Sequence, residues 1–394
     1  MALFAVNNFL GERKMYQKIC RVAAYNFVEY EGIKFCGDTN QTALYRIDSS
    51  GEPRILTDHQ VAKYRSYAYT KCGIIGKKVF FMSGKSNIVS VFDIKKNELR
   101  KIEINLNEDY LNGNILFWES AVNEKYFFAV GYQCPVIVRI DAETNEVKML
   151  DFCIDDFRNE SRKGDSPDYF FVDGYVNYKG GFFIPISRES SLLFLDNDMN
   201  GYEIIYTGGF VKKILSISSR DEEIWMTDFN SDTGYVSIWN INTKEVKNVI
   251  LPSRGLWYAP KFFDGYAYFF PMSNEGKVYR VDTMTLHCEL FERLDELFRE
   301  EDNKELNNRN SNTMMVQQEG SIVTFIRRPD YTWFTYDFET DELTSAVYEI
   351  TDEAYLKALE KDYYDQIFDK CVGKAEVVNE EELPLSEYLE RLKI

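Results

Sequence analysis

Histidine is scarce: His59 and His287 are the only two in 394 residues. They fall in different units of the repeat described below, so a catalytic triad or a two-histidine metal centre would need a convergence that the repeat register opposes. Gly-rich phosphate loops, Gly-x-Ser-x-Gly and His-Glu-x-x-His are missing, and with them the local signatures of nucleotide binding, serine hydrolases and zinc proteases. No Cys-x-x-Cys occurs among Cys20, Cys36, Cys72, Cys134, Cys153, Cys288 and Cys371. An odd, scattered set gives neither a disulfide framework nor a zinc knuckle, so these read as small buried hydrophobes. Basic charge is in deficit, 46 Lys and Arg against 64 Asp and Glu for a net −18, which argues against nucleic acid as a partner. No apolar run approaches the roughly 18 residues of a spanning helix. The N-terminus has no basic region and Asn7 and Asn8 break its apolar stretch, so the expectation is a cytoplasmic protein without membrane insertion.

What is abundant is apolar and aromatic surface, 45% and 15% of residues, too much for a disordered chain. It is organised as a repeat. An apolar strand, a polar loop and a second strand closing on Asp or Asn recur at Asp48, Asp93, Asp141, Asp196, Asn240, Asp282 and Asp337. The spacing runs from 42 to 55 residues. The preceding strands are equally regular, from Gly-Ile-Lys-Phe-Cys36 to Ser-Ile-Val-Thr-Phe325, and their β-branched and aromatic content between Gly, Asn and Asp marks strands. A further apolar segment upstream, such as Val22 to Val28, Ile115 to Val122 or Lys213 to Ile217, supplies an innermost strand. Arg100 to Ile104 and Val246 to Leu251 supply outer ones. The repeated Asp or Asn is structural in this reading: its short side chain accepts the backbone N–H two residues on and starts a tight turn.

On these seven units the chain resembles the β-propeller superfamily over about Cys20 to Ile350, because a period of this size with three to four strands per unit is that of propeller blades. Val-Arg-Ile-Asp141-Ala-Glu-Thr-Asn-Glu-Val is similar to quinoprotein-type or WD-type repeats, but Asn145 stands where Gly is usual, and the Gly-His and Trp-Asp marks are missing. Gly180-Gly181 precedes its strand, where kelch repeats place the pair after it. No family's functional residues transfer. The resulting expectation is an all-β fold, a seven-bladed β-propeller over 1–350 with 1–18 outside the repeat, and a helical C-terminal appendage over 351–394.

Two intervals are long. Asp151 to Asp168 is rich in charge without apolar period and reads as a solvated loop, whereas Leu290, Leu294, Leu297 and Phe298 have helical spacing and predict a short helix over one face. In the appendage, Leu356, Leu359, Tyr363 and Ile367 predict a helix stopped by Gly373. Leu385, Leu389 and Leu392 line a second one that either packs on the rim or docks a partner.

The sequence offers no positive support for an enzyme and implies no cofactor. Binding has more support. Loops between second and third strands share a face with the links between blades, which gathers Lys85, Arg188, Arg254, Arg327 and Arg328 near one mouth. Trp257 and Tyr258 are the aromatics expected to reach it. Arginine forks suit carboxylate or phosphate, whereas a neighbouring acid such as Asp330 or Glu189 would neutralise them. The expected function is therefore a non-enzymatic scaffold presenting one face to a protein partner or ligand. The alternative is a carbohydrate-binding or carbohydrate-acting protein recognising an anionic glycan at the axial mouth, and the expected partner is a protein or an anionic glycan or peptide. Hydrolase or lyase chemistry would be signalled by a close Asp or Glu pair in a deep axial cleft.

Overall fold

The computed structural model describes residues 20–39, 43–56, 68–111, 115–151, 170–186, 189–272, 277–295, 297, 313–328 and 330–358. They form seven four-stranded antiparallel sheets, each a simple meander of consecutive strands. The chain is a seven-bladed β-propeller. Blade 1 runs from Val28–Tyr30 to Pro53–Ile55, blade 2 from Tyr69–Ile75 to Glu98–Glu103 and blade 3 from Phe117–Val122 to Val147–Asp151. Blade 4 runs from Val176–Tyr178 to Tyr202–Tyr206, blade 5 from Ile214–Arg220 to Val246–Ile250, blade 6 from Lys261–Phe263 to Cys288–Leu290 and blade 7 from Thr313–Glu319 to Glu342–Ala346.

The repeated acid does what local chemistry dictates. Asp48, Asp141, Asp196, Asn240, Asp282 and Asp337 each accept, through a side-chain oxygen, the backbone N–H two residues on, at 2.9–3.0 Å. Asp93 accepts that of Lys96 at 3.0 Å. Those amides hold the Asp141, Asp282 and Asp337 carboxyls below the usual range, led in each by an amide of the turn. These turns, with those joining first and second strands, make the bottom face; the opposite loops and the links between blades make the top.

Every blade has two apolar faces, and each is buried against a neighbour. Seven separate apolar clusters result, one per seam. Trp225, Trp239 and Trp333 are fully buried in three of them. Polar bonds near the axis join the same seams. Asn26 bonds both the N–H and C=O of Cys72, at 2.7 and 2.8 Å, between blades 1 and 2. Gln317 does the same for Phe27 and Gln318 for Phe262, tying blade 7 to blades 1 and 6. Thr70 Oγ1 donates to Phe117 O, the Ile217 amide to Asp173 O and Ser218 Oγ to Pro260 O. Side-chain amides here complete backbone pairing that strands of different blades do not make with each other.

Among the described residues each blade is built from its own consecutive strands, the first and last included. Residues 20–22 pair antiparallel with 348–350, through Val22 N to Tyr348 O at 2.9 Å and Ile350 N to Cys20 O at 2.8 Å. The innermost strand expected over Val22 to Val28 therefore starts only at Val28; the residues before it seal the ring. Of the expected insertion helix, Glu292–Asp295 is helical and pinned by the buried Leu294; residues 296 and 298–312 lie outside the described residues. Of the tail, 353–358 is helical, with Asp352 capping Tyr355 N at 2.9 Å and Tyr355 buried in the last seam. The rest of the tail lies outside the described residues, as does the solvated loop after Asp151 from residue 152 to 169. No helix among the described residues is long and apolar enough to cross a membrane.

Candidate functional site

In blades 2, 3, 5 and 7 the pairing of the innermost strand with the second slips by one residue near the top, a β-bulge at the same place in each. The extra residue is Thr70 in blade 2 and Trp118 in blade 3; the residues after it, Lys71 and Glu119, occupy equivalent positions. A bulge re-aims the side chains around it. Here it brings a lysine and a glutamate from adjacent blades to the axis, where Lys71 Nζ lies 3.4 Å from Glu119 Oε2. Asp173, in the link into blade 4, approaches the same ammonium at 2.8 Å. Gly174 follows it at φ 90°, and a Cβ there would collide with Ile217 O. The glycine lets its N–H reach Glu119 Oε2 at 2.7 Å, while Ser120 N donates to Oε1 at 2.8 Å.

Lys261, which opens blade 6, completes the group. It interacts electrostatically with Asp173, Lys71 and Glu119, and burial pushes its ammonium down to about 8. It makes no hydrogen bond or ion pair among the described residues. Burial, opposed by Lys71 and reinforced by Asp173, pushes Glu119 up to about 7. Burial also opposes ionisation of Asp173, but Lys71 outweighs it and holds that carboxyl below its usual range. Lys71 itself is raised, its desolvation offset by the two acids. The side chains of Lys71, Glu119 and Asp173 are 15%, 5% and 20% exposed.

Aromatic rings stand at the top of this group. Trp118 lies between Tyr25 and Tyr132, with ring centroids at 5.0 and 5.4 Å, and all three are half-buried. Tyr258 donates its hydroxyl to Thr313 O at 3.2 Å. Its hydroxyl is raised by burial and by Asp173 and Tyr25, against Arg328. An aromatic rim over a charged floor suits a ligand with an apolar body and a polar head.

The sequence-derived site residues divide. Tyr258 and Arg328 belong to the axial group. Arg327 is held by Asp330, at 3.2 Å from Nε and 2.5 Å from Nη2, the neutralisation weighed from the sequence. Lys85 is half-buried in the blade 2 loop and Arg254 exposed in the link to blade 6; neither has a hydrogen bond or ion pair to the axial group among the described residues. Arg188, Leu385, Leu389 and Leu392 lie outside the described residues. Trp257 is corrected: it is 3% exposed in the seam of blades 5 and 6, donating Nε1 to Lys277 O at 3.2 Å. A flat apolar ring was drawn inside, and the mouth tryptophan is Trp118. Lys71, Glu119, Asp173 and Lys261 were missed. The available signal was a charge inside an otherwise apolar or small innermost strand, Tyr-Thr-Lys71-Cys-Gly and Phe-Trp-Glu119-Ser-Ala. His287 is exposed in a bottom turn, far from this chemistry. Burial raises the Cys36 and Cys72 thiols and takes Cys134 to about 12, which makes these three unreactive.

The shifted groups give a pH dependence. Native Glu119 keeps its proton to about 7, whereas the unfolded chain releases it near ~4.3. The native state binds more protons between those values, so this stabilisation is lost as pH rises through 7. Lys261 works oppositely: its native proton leaves near 8, and stability rises from there toward the unfolded value near ~10.4. The fold should lose thermal stability from pH 5 to 7.5. The loss should shrink in Glu119→Gln when melting is followed at both values, and an unchanged loss would refute the assignment.

No family model matches the chain, and no curated protein matches its sequence. Among solved structures it is similar to BamB from Moraxella catarrhalis, at 10% identity and TM-score 0.50 over 82% of this chain and 83% of that one. A streptogramin B lyase structure matches at 14% identity and TM-score 0.49, over 73% and 85%. At 10% identity the likeness to BamB speaks to the propeller fold alone.

Proposed function

We propose that the protein is a binding scaffold without catalytic activity that presents its top face, with the axial mouth as recognition point, to a partner or ligand. One observation carries this reading: side chains from different blades converge beneath a rim of half-buried Trp118, Tyr25 and Tyr132. Trp, Tyr and Arg at a rigid concave centre have the composition of interface hot spots. The bonded seams supply the rigidity and so reduce the ordering cost of association. Glu119 and Asp173 form the acid pair that hydrolase or lyase chemistry would need. Both face Lys71, however, and both Glu119 oxygens already accept backbone amides, which supports binding over chemistry.

The test is photo-crosslinking from either face. Benzoylphenylalanine replaces Tyr132 at the top or Met284, 86% exposed in a bottom turn, and adducts formed in cells are analysed by mass. Adducts at position 132 alone are expected. Adducts at 284 alone, or at neither, would overturn the proposal.

A further inference from the structure

The rim of the propeller is a row of open sheet edges, and charge or proline guards most of them. The outer strand of blade 1 carries Pro53 and Arg54, and that of blade 2, Glu98–Glu103, has four charged residues in six. Both are the usual protection of an unpaired edge. The outer strand of blade 4, Tyr202–Tyr206, is different. Its one charge is Glu203, and Tyr202, Ile204 and Tyr206 are 42%, 41% and 69% exposed. Among the described residues no other outer strand exposes three large apolar side chains.

Register fixes how this edge is presented. Ile205 packs into the seam of blades 4 and 5, so strand alternation puts Tyr202, Ile204 and Tyr206 together on the opposite face. Thr207 N donates to Ser190 O at 2.9 Å and Asp196 N to Gly201 O at 3.4 Å, at the two ends of the pairing with Ser191–Asp196. Alternate residues of an antiparallel ladder bond the same neighbour. Residues 201, 203, 205 and 207 therefore bond inward, and Ile204 and Tyr206 turn N–H and C=O away from the blade.

We infer that this edge is a self-association surface, pairing antiparallel with the same strand of a second copy about a two-fold axis at Ile204. The occupant follows from the order of the residues, which a foreign strand would not require to be self-complementary. About that axis Ile204 meets Ile204 of the second copy, each Tyr202 meets a Tyr206, and each Glu203 meets an Ile205, so no like charges are opposed. Ile204 has its backbone outward in both copies, and the central rung exchanges two hydrogen bonds. The same operation on the blade 2 strand would set Glu98 against Glu103 and Arg100 against Lys101. An edge of five residues buries less than the about 800 Å² per partner of a standard interface, so the dimer is reversible. Each copy carries net −18. Salt screens that repulsion and strengthens the association. The rim edge is separate from the top face, and neither reading rests on the other.

Sedimentation of the full chain, from about one to several hundred micromolar, tests this. Wild type should pass from monomer to dimer, and at lower concentration in about 0.5 M salt than in about 0.05 M. Ile204→Lys and Ile204→Glu each oppose like charges on the axis and should raise the dissociation constant at least about tenfold. Mixing the two variants should restore a dimer, because position 204 meets itself only in the two-fold pairing. Benzoylphenylalanine in place of Tyr206 should give an adduct of two chains. A wild type that stays monomeric, a dimer weakened by salt or indifferent to Ile204→Lys, or a mixture no better than its components would each overturn the inference. An adduct from position 206 to a different protein, or within one chain, would overturn it too and identify another occupant of the edge.

Discussion

Trp333→Ala should destabilise the protein by about 3–5 kcal/mol, the usual range for deleting a buried large aromatic. The ring is 2% exposed in the seam between blades 7 and 1, packed on Phe27 at 5.6 Å and edge-on to Tyr348 at 5.2 Å. Its Nε1 donates to Val22 O at 3.1 Å. The substitution removes apolar contact on both sides and orphans a carbonyl at the position where the two ends of the ring meet. Urea unfolding should show a lowered midpoint, with Trp333→Phe recovering much of the loss because it keeps the ring contacts and forfeits only the bond. A shift below about 1 kcal/mol for the alanine variant would mean the seam closes without it.

Lys71→Met is the second large effect. It leaves Glu119 and Asp173 facing each other without the cation that both approach. Breaking a buried charge group by deleting one member costs about 3–5 kcal/mol, because the remaining charges stay desolvated and uncompensated. The variant should therefore unfold at much lower urea and be stabilised by acidification, which protonates the freed carboxyls. Adding Glu119→Gln should restore part of the loss, since one of the two like charges is then gone. Double-mutant cycles on unfolding free energies measure this coupling; additive effects would show that Lys71 does not bind the acids together.

The ring was legible in the sequence because its signals are local. A strand-closing Asp or Asn, its turn and the aromatic run before it all lie within about fifteen residues, and the seven positions read this way all accept turn amides. Where a segment's partner lies far along the chain, local reading failed. Val22 to Phe27 is apolar enough for a strand, yet 20–22 pairs with 348–350. The axial group draws on residues from Lys71 to Lys261, which only ring closure brings together. Arg327 was readable as either ligand or ion-pair donor, and the nearby Asp330 decided it. Trp257 was placed at the mouth because its link is polar, but the residue bridges to Pro271 and turns inward.

Sealing the ring by 20–22 against 348–350 has a consequence for biosynthesis. Val22 and Trp333 are separated by 311 residues, so the ribosome makes one half of their seam long before the other. Blade 1 must wait through six further blades with Phe27, Cys36 and Tyr45 lacking their final neighbours. Its open flank is the surface on which a nascent-chain chaperone would have to act, since contacts this distant form slowly and expose apolar groups meanwhile.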